Sequence, residues 1–183
     1  MRAAQDTFAE VSARLERDFP ALAEIELPRA LSASEAQELL APGEGLLAYA
    51  STEEHLYAWL ITQERVEWFR FDVTAEDLAD RVAQLREGLD PTAGSSSSIS
   101  DECALTDQFG LGFDICAAQE LYDLVLGQID LTGIDELLVV PDGALETIPF
   151  SVLVSDIEAD GSPQWLIEEH AITTLPATSS LRA

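Results

Sequence analysis

Covalent chemistry in this chain would have to come from Cys103, Cys116, His55 and His170, the full complement of cysteine and histidine in the sequence. A cysteine nucleophile needs a thiolate with an imidazole within hydrogen-bond reach. Cys116 lies in "FDICAAQEL", where it reads as a small core or near-core residue of a helix, and Cys103 borders a serine-rich stretch. His55 opens a strand beside Glu53 and Glu54, and His170 sits inside "EEHAI". Neither histidine is followed by the Gly-rich or small-residue turn that would present an imidazole at a strand end. Structural cysteines and surface or packed histidines are therefore the favoured reading.

Other chemistries fare no better. Glu168, Glu169 and His170 are adjacent, so on a strand they would point to alternating faces and could not converge on a metal. The run "GSSSSIS" has no G-x-S-x-G elbow and reads as a flexible linker. Asp142, in "PDG", stands where a strand's carboxyl end could present a catalytic carboxylate, but Pro-Asp-Gly is also ordinary tight-turn composition, and the turn is favoured. No catalytic, metal-binding or cofactor-binding residue is assigned, and no cofactor is expected.

Composition bounds what remains. The chain has 183 residues, enough for one sizeable core, and its 47% hydrophobic content is that of a globular protein. There are 35 acidic residues against nine basic ones, a net charge of −26, and every basic residue is Arg. Such a surface repels phosphate backbones and anionic lipid heads, which argues against nucleic-acid and membrane partners. A GC-rich genome, salt adaptation and a basic partner are the explanations for the acidity, in that order, because the acids are scattered rather than clustered. The amino terminus carries no apolar signal region, and two cysteines make no disulfide framework, so a reducing, cytoplasmic setting is expected.

The elements that would position a site read as follows. Phe8, Val11, Leu15 and Phe19 recur at helical spacing until Pro20, as a lone helix or the last helix of a repeat array. Ser32 and Glu35 form a capping box for a helix ended by Pro42 and Gly43. "LLAYAS", "HLYAWLIT" and "RVEWFRF" are strands, the last two a hairpin across Gln63 and Glu64. Thr74 caps a helix with Leu78, Val82, Leu85 and Leu89 on one stripe. Asp90 to Asp101 lacks apolar periodicity and is expected to be a mobile loop dividing the molecule into two layers. Beyond it, Phe113, Ala117, Leu121, Leu124 and Val125 mark another amphipathic helix. Leu137 to Val140 follows, an unbroken apolar run of the kind found in a parallel strand covered on both faces. "SVL" after Pro149-Phe150 is helix-like, and "WLIEEHAITTLP" reads as two short strands or one bent strand.

Three blocks, "LSASEAQELLAPGEGLLAYASTEEHLYAWLIT", "LLVVPDGALETIPFSVL" and "WLIEEHAITTLPATSSL", resemble in order the successive blocks of the CHAT domain. That family is a caspase-like bacterial peptidase domain found after tetratricopeptide repeats. The resemblance runs from about Leu31 to Ala183 and implies an α/β fold, the N-terminal portion of a caspase-like domain. Antiparallel strands with flanking helices would lead into a parallel sheet whose first core strand is Leu137–Val140. Residues 1–30 would be the final repeat helix and linker, and 31–183 the domain portion. The resemblance implies a parent cysteine peptidase acting on a protein substrate. The family's catalytic His-Gly turn and Cys-containing loop match no part of this sequence, so the chain itself is expected to be inactive, as a truncated domain. The alternative is a non-catalytic interaction or scaffold module on half of a caspase-like fold.

Overall fold

A computed structural model describes residues 31–89 and 113–182. The predicted helix over residues 8–19 and the serine-rich loop lie outside these residues.

Helix α1, Ala33–Leu39, starts where the capping box places it: the Ser32 hydroxyl accepts from the Glu35 amide at 3.3 Å, and the Glu35 carboxylate accepts from the Ser32 amide at 2.9 Å. The turn after it needs Gly43, whose φ of +82° favours glycine and whose carbonyl accepts from the Asp135 amide at 2.7 Å. Strands β1 (Glu44–Ser51), β2 (Leu56–Ile61) and β3 (Val66–Phe71) follow as an antiparallel meander, with the expected hairpin between β2 and β3.

Helix α2 (Ala75–Leu89) has Thr74 accepting from the Asp77 amide at 3.1 Å, and Leu78, Val82 and Leu85 are buried. Helix α3 (Ile115–Val125) is capped by Asp114, which accepts from the Ala117 amide at 3.0 Å; its inward face carries Ile115, Ala118, Leu121 and Val125. Strand β4 is Glu136–Val140. Two 3₁₀ turns, Gly143–Thr147 and Phe150–Val152, bury Leu145 and Phe150 beneath it.

A small hairpin of β5 (Val154–Ile157) and β6 (Pro163–Trp165) precedes a short helix, α4 (Leu166–Glu169), and strand β7 (Ala171–Thr174). The expectation of two strands or one bent strand over this last region needs correction. A helical turn separates β6 from β7, its start held by the Trp165 amide donating to the Glu168 carboxylate at 3.2 Å.

The main sheet has the order β3-β2-β1-β4-β7. β1 pairs with β4 in parallel, Leu47 opposite Val139, and β4 pairs with β7 in parallel, Leu137 opposite Ile172. The molecule is thus α/β, as expected, with a five-stranded mixed sheet flanked by helices. Two expectations change. The parallel run begins at β1, not at Leu137–Val140, and the meander and the Pro-Asp-Gly strand share one sheet rather than forming two layers.

Strand alternation sends side chains to two faces. Leu47, Tyr49, Leu56, Ala58, Leu60, Leu137 and Val139 face the main core, closed by α2, α3 and the 3₁₀ turns. Leu46, Ile61 and Leu138 face the other way, where Ala36 and Leu40 of α1 cover them. β4 is buried through Leu137, Leu138 and Val139, so its unbroken apolar run is explained by covering on both faces.

Candidate functional site

Open α/β sheets place ligands beyond the carboxyl ends of their parallel strands, where chain direction across the sheet reverses. Here that point lies between β1 and β4, because the chain leaves β1 towards β2 and β3 on one side and leaves β4 towards β7 on the other. Ser51 ends β1, and Asp142 and Gly143 follow β4.

Asp142 is engaged rather than free. Its Oδ2 accepts from the Ser51 amide at 2.6 Å, and its backbone carbonyl accepts from the Ser51 hydroxyl at 3.5 Å. Gly143 follows with φ +60°, and a Cβ there would lie 3.1 Å from Ser51 Oγ. The Pro-Asp-Gly turn therefore bolts the ends of two parallel strands together.

The histidines lie at opposite ends of the sheet. His55 is in the turn from β1 to β2, with Nδ1 3.7 Å from the Asp72 carboxylate and its ring edge-on to Tyr57, centroids 6.2 Å apart. His170 precedes β7, and its Nδ1 bonds the Ile134 carbonyl at 2.7 Å, at the amino-terminal edge of β4. A strand of five residues spans about 17 Å, too far for the two imidazoles to serve one site.

Ser155, Glu169 and His170 sit close together but in the wrong order for a nucleophile. Ser155 Oγ donates to Glu169 Oε1 at 3.0 Å, and the other carboxylate oxygen lies 3.9 Å from His170 Nε2. The hydroxyl touches the carboxylate and not the imidazole, so the serine–imidazole–carboxylate order of a triad is not formed. Glu168, Glu169 and His170 occupy the end of a helical turn instead of a strand, which corrects the geometry assumed for them. No group of three metal-binding side chains occurs among the described residues.

Cys116 is half-buried in the first turn of α3 and is disulfide-bonded, so it presents no thiolate. Cysteine usage consequently ceases to argue for a reducing compartment. Cys103 lies outside the described residues.

Two tyrosines carry displaced pKa values that the sequence did not flag. Burial pushes the Tyr49 phenol well above its ordinary 10.0, with Tyr122 adding to the shift, and its hydroxyl donates to the Val125 carbonyl at 3.1 Å. Tyr122 is raised by burial and then by the carboxylates of Glu169 and Asp123. The Tyr49 phenol thus has a structural partner. A shallow groove of about 240 Å³ lies at the far edge of the sheet, lined by Gly43, Thr62, Arg65 and Gly133 among others. Arg65 is held there by the Asp130 carbonyl and the Glu67 carboxylate, leaving no convergent polar set for a ligand.

No curated protein matches the chain. A family model does: residues 116–183, from the first turn of α3 through β4, β7 and beyond, match the CHAT domain, the family the sequence resembles.

Proposed function

We propose that residues 31–183 are the N-terminal portion of a CHAT-like, caspase-like cysteine peptidase domain, whose parent protein hydrolyses peptide bonds in a protein substrate. The CHAT match over residues 116–183 carries this reading, and three parallel strands in the order β1-β4-β7 support it. In such a peptidase a thiolate activated by histidine attacks the scissile carbonyl while backbone amides hold the oxyanion. In support of an inactive fragment, Cys116 is bonded, and His55 and His170 sit at opposite ends of the sheet. The chain alone is therefore inactive in this reading. Its partners are a protein substrate or partner protein and upstream tetratricopeptide repeats, with neither nucleic acid nor membrane, in the cytoplasm. Among the described residues no helix is long and apolar enough to cross a membrane.

The competing reading is a non-catalytic interaction module on the same half-fold. Reading the gene past Ala183 and assaying the encoded protein separates them. A continuing frame with a His-Gly turn and a later cysteine, giving alkylation-sensitive peptide release, supports the peptidase. A stop codon directly after Ala183 in an expressed gene supports the module.

A further inference from the structure

β3 is an edge of the main sheet, and no strand among the described residues pairs with its outer side. The Thr62 amide donates to the Arg65 carbonyl at 2.9 Å, which sets the alternation of bonds along the β2–β3 hairpin. Glu67, Phe69 and Phe71 therefore bond to β2, while Val66, Trp68 and Arg70 turn their N–H and C=O groups outwards.

Natural sheet edges are blunted by a bulge, a proline, a lysine or an inward-pointing charge. β3 pairs with β2 without a bulge over its whole length and contains neither Pro nor Lys. The device it does carry is Glu67, on the core side of the strand opposite Leu60. Glu67 Oε2 is screened from solvent and accepts no hydrogen bond, although Arg65 Nε lies 3.2 Å away. On the other face the same edge is apolar. Trp68 is 65% exposed, Val66 45%, and Trp59, directly opposite Trp68, 38%. Unpaired backbone groups beside exposed apolar side chains suit an extended ligand, whose main chain supplies affinity and whose alternate side chains supply selectivity.

We propose that the outer edge of β3 takes up an extended basic segment of a partner protein as a sixth strand, antiparallel to β3. Charge selects this occupant. A chain of net charge −26 draws in a cationic segment and repels a second copy of itself. The edge's own cations are engaged, Arg65 with Glu67 and with Asp130 at 3.6 Å, and Arg70 with Asp72 at 3.3 Å. An Arg or Lys facing Glu67 supplies the hydrogen bond that Oε2 lacks, and apolar residues facing Trp68 and Val66 extend the exposed face. A second copy paired about Trp68, the register that uses every outward group, would set Phe69 against Glu67 and leave the carboxylate unmatched. The inference is independent of the peptidase reading, since its assay reads binding and not hydrolysis.

Fluorescence anisotropy of a labelled peptide, Arg-Thr-Thr-Val-Val-Arg-Val-Thr-Arg, with the full chain tests it. Laid antiparallel to residues 64–72, this peptide sets its arginines against Glu64, Glu67 and Asp72. Saturable binding is expected, weakening as salt is added and lost when the arginines are replaced by glutamates. N-methylation of the peptide amides facing Val66, Trp68 and Arg70 keeps every charge and side chain, and should weaken binding about tenfold. Trp68→Thr should weaken it about fivefold, whereas Ile167→Thr, at an exposed residue outside β3, should not. No binding, or equal binding of the methylated and unmethylated peptides, would overturn the proposal, the second result leaving charge attraction alone. So would slow exchange of the Trp68 amide in the peptide-free chain, which would give the edge to the chain itself in a monomer and to a second copy in a dimer.

Discussion

At the scale of single residues, the informative side chains are the ones that tie elements together. Asp142 looked like a choice between catalysis and a turn, and the 2.6 Å bond from the Ser51 amide gives its carboxylate a structural task. A hydrogen bond to a charged group contributes about 1.5–3 kcal/mol, so Asp142→Ala should lower stability by about that amount in denaturant melts. An unchanged midpoint would show that water replaces the carboxylate without loss. Tyr49 makes a second prediction through pH. An unfolded tyrosine loses its proton near 10, whereas folded Tyr49 holds it to higher pH. Between those values the unfolded state binds fewer protons, so stability falls as pH rises from about 10 through the folded pKa. Tyr49→Phe should flatten that alkaline loss, read by melts between about pH 9 and 11.5, with an unaltered slope contradicting the assignment. The Asp142 turn was legible because Pro-Asp-Gly has strong local conformational preferences. The Tyr49–Val125 bond was not, because it joins residues 76 apart in sequence.

At the scale of elements, local chemistry was read well and pairing less so. The capping box at Ser32, the Thr74 cap, the β2–β3 hairpin and the Leu78, Val82 and Leu85 stripe of α2 each depend on residues within a few positions of one another, and each is present, whereas Leu89, expected on the same stripe, is exposed at the helix end. The joining of β1 to β4 depends on pairing across some ninety residues, for which neither strand carries a local signal. The apolar run of β1 is the trace that could have been followed: Leu46 and Leu47 are both fully buried, as in β4, because β1 is also covered on two faces. The α4 turn was missed because "LIEEH" carries a strand-like apolar start, while its Glu168 cap back to Trp165 is a weak signal on four residues. Leu47 sits between Leu60 of β2 and Val139 of β4, so Leu47→Ala removes contacts on both sides of the junction. We expect a loss of about 2–5 kcal/mol, with hydrogen exchange quickening in β4 as much as in β2. Exchange that quickens in β2 alone would mean the two halves of the sheet open independently.

At the scale of the whole molecule, charge and the family match dominate. A net charge of −26 destabilises a compact state by self-repulsion, and added salt screens it over about 10 Å at 0.1 M. If salt adaptation underlies the acidity, melting temperature should climb steadily across a salt series, whereas a flat response would favour genome composition. The fold has the layered α/β form expected of the CHAT resemblance, and the family match covers β4 and β7 but not β1. The carboxyl ends of β1 and β4 are joined by a bolt between Ser51 and Asp142. The most direct measurement is therefore peptide hydrolysis by the purified chain, using a panel with basic and acidic P1 residues before and after alkylation under reducing conditions. We predict release no greater than the buffer blank, unaffected by alkylation or by Cys103→Ser and Cys116→Ser; release abolished by alkylation and by either substitution would contradict the inactive-fragment reading.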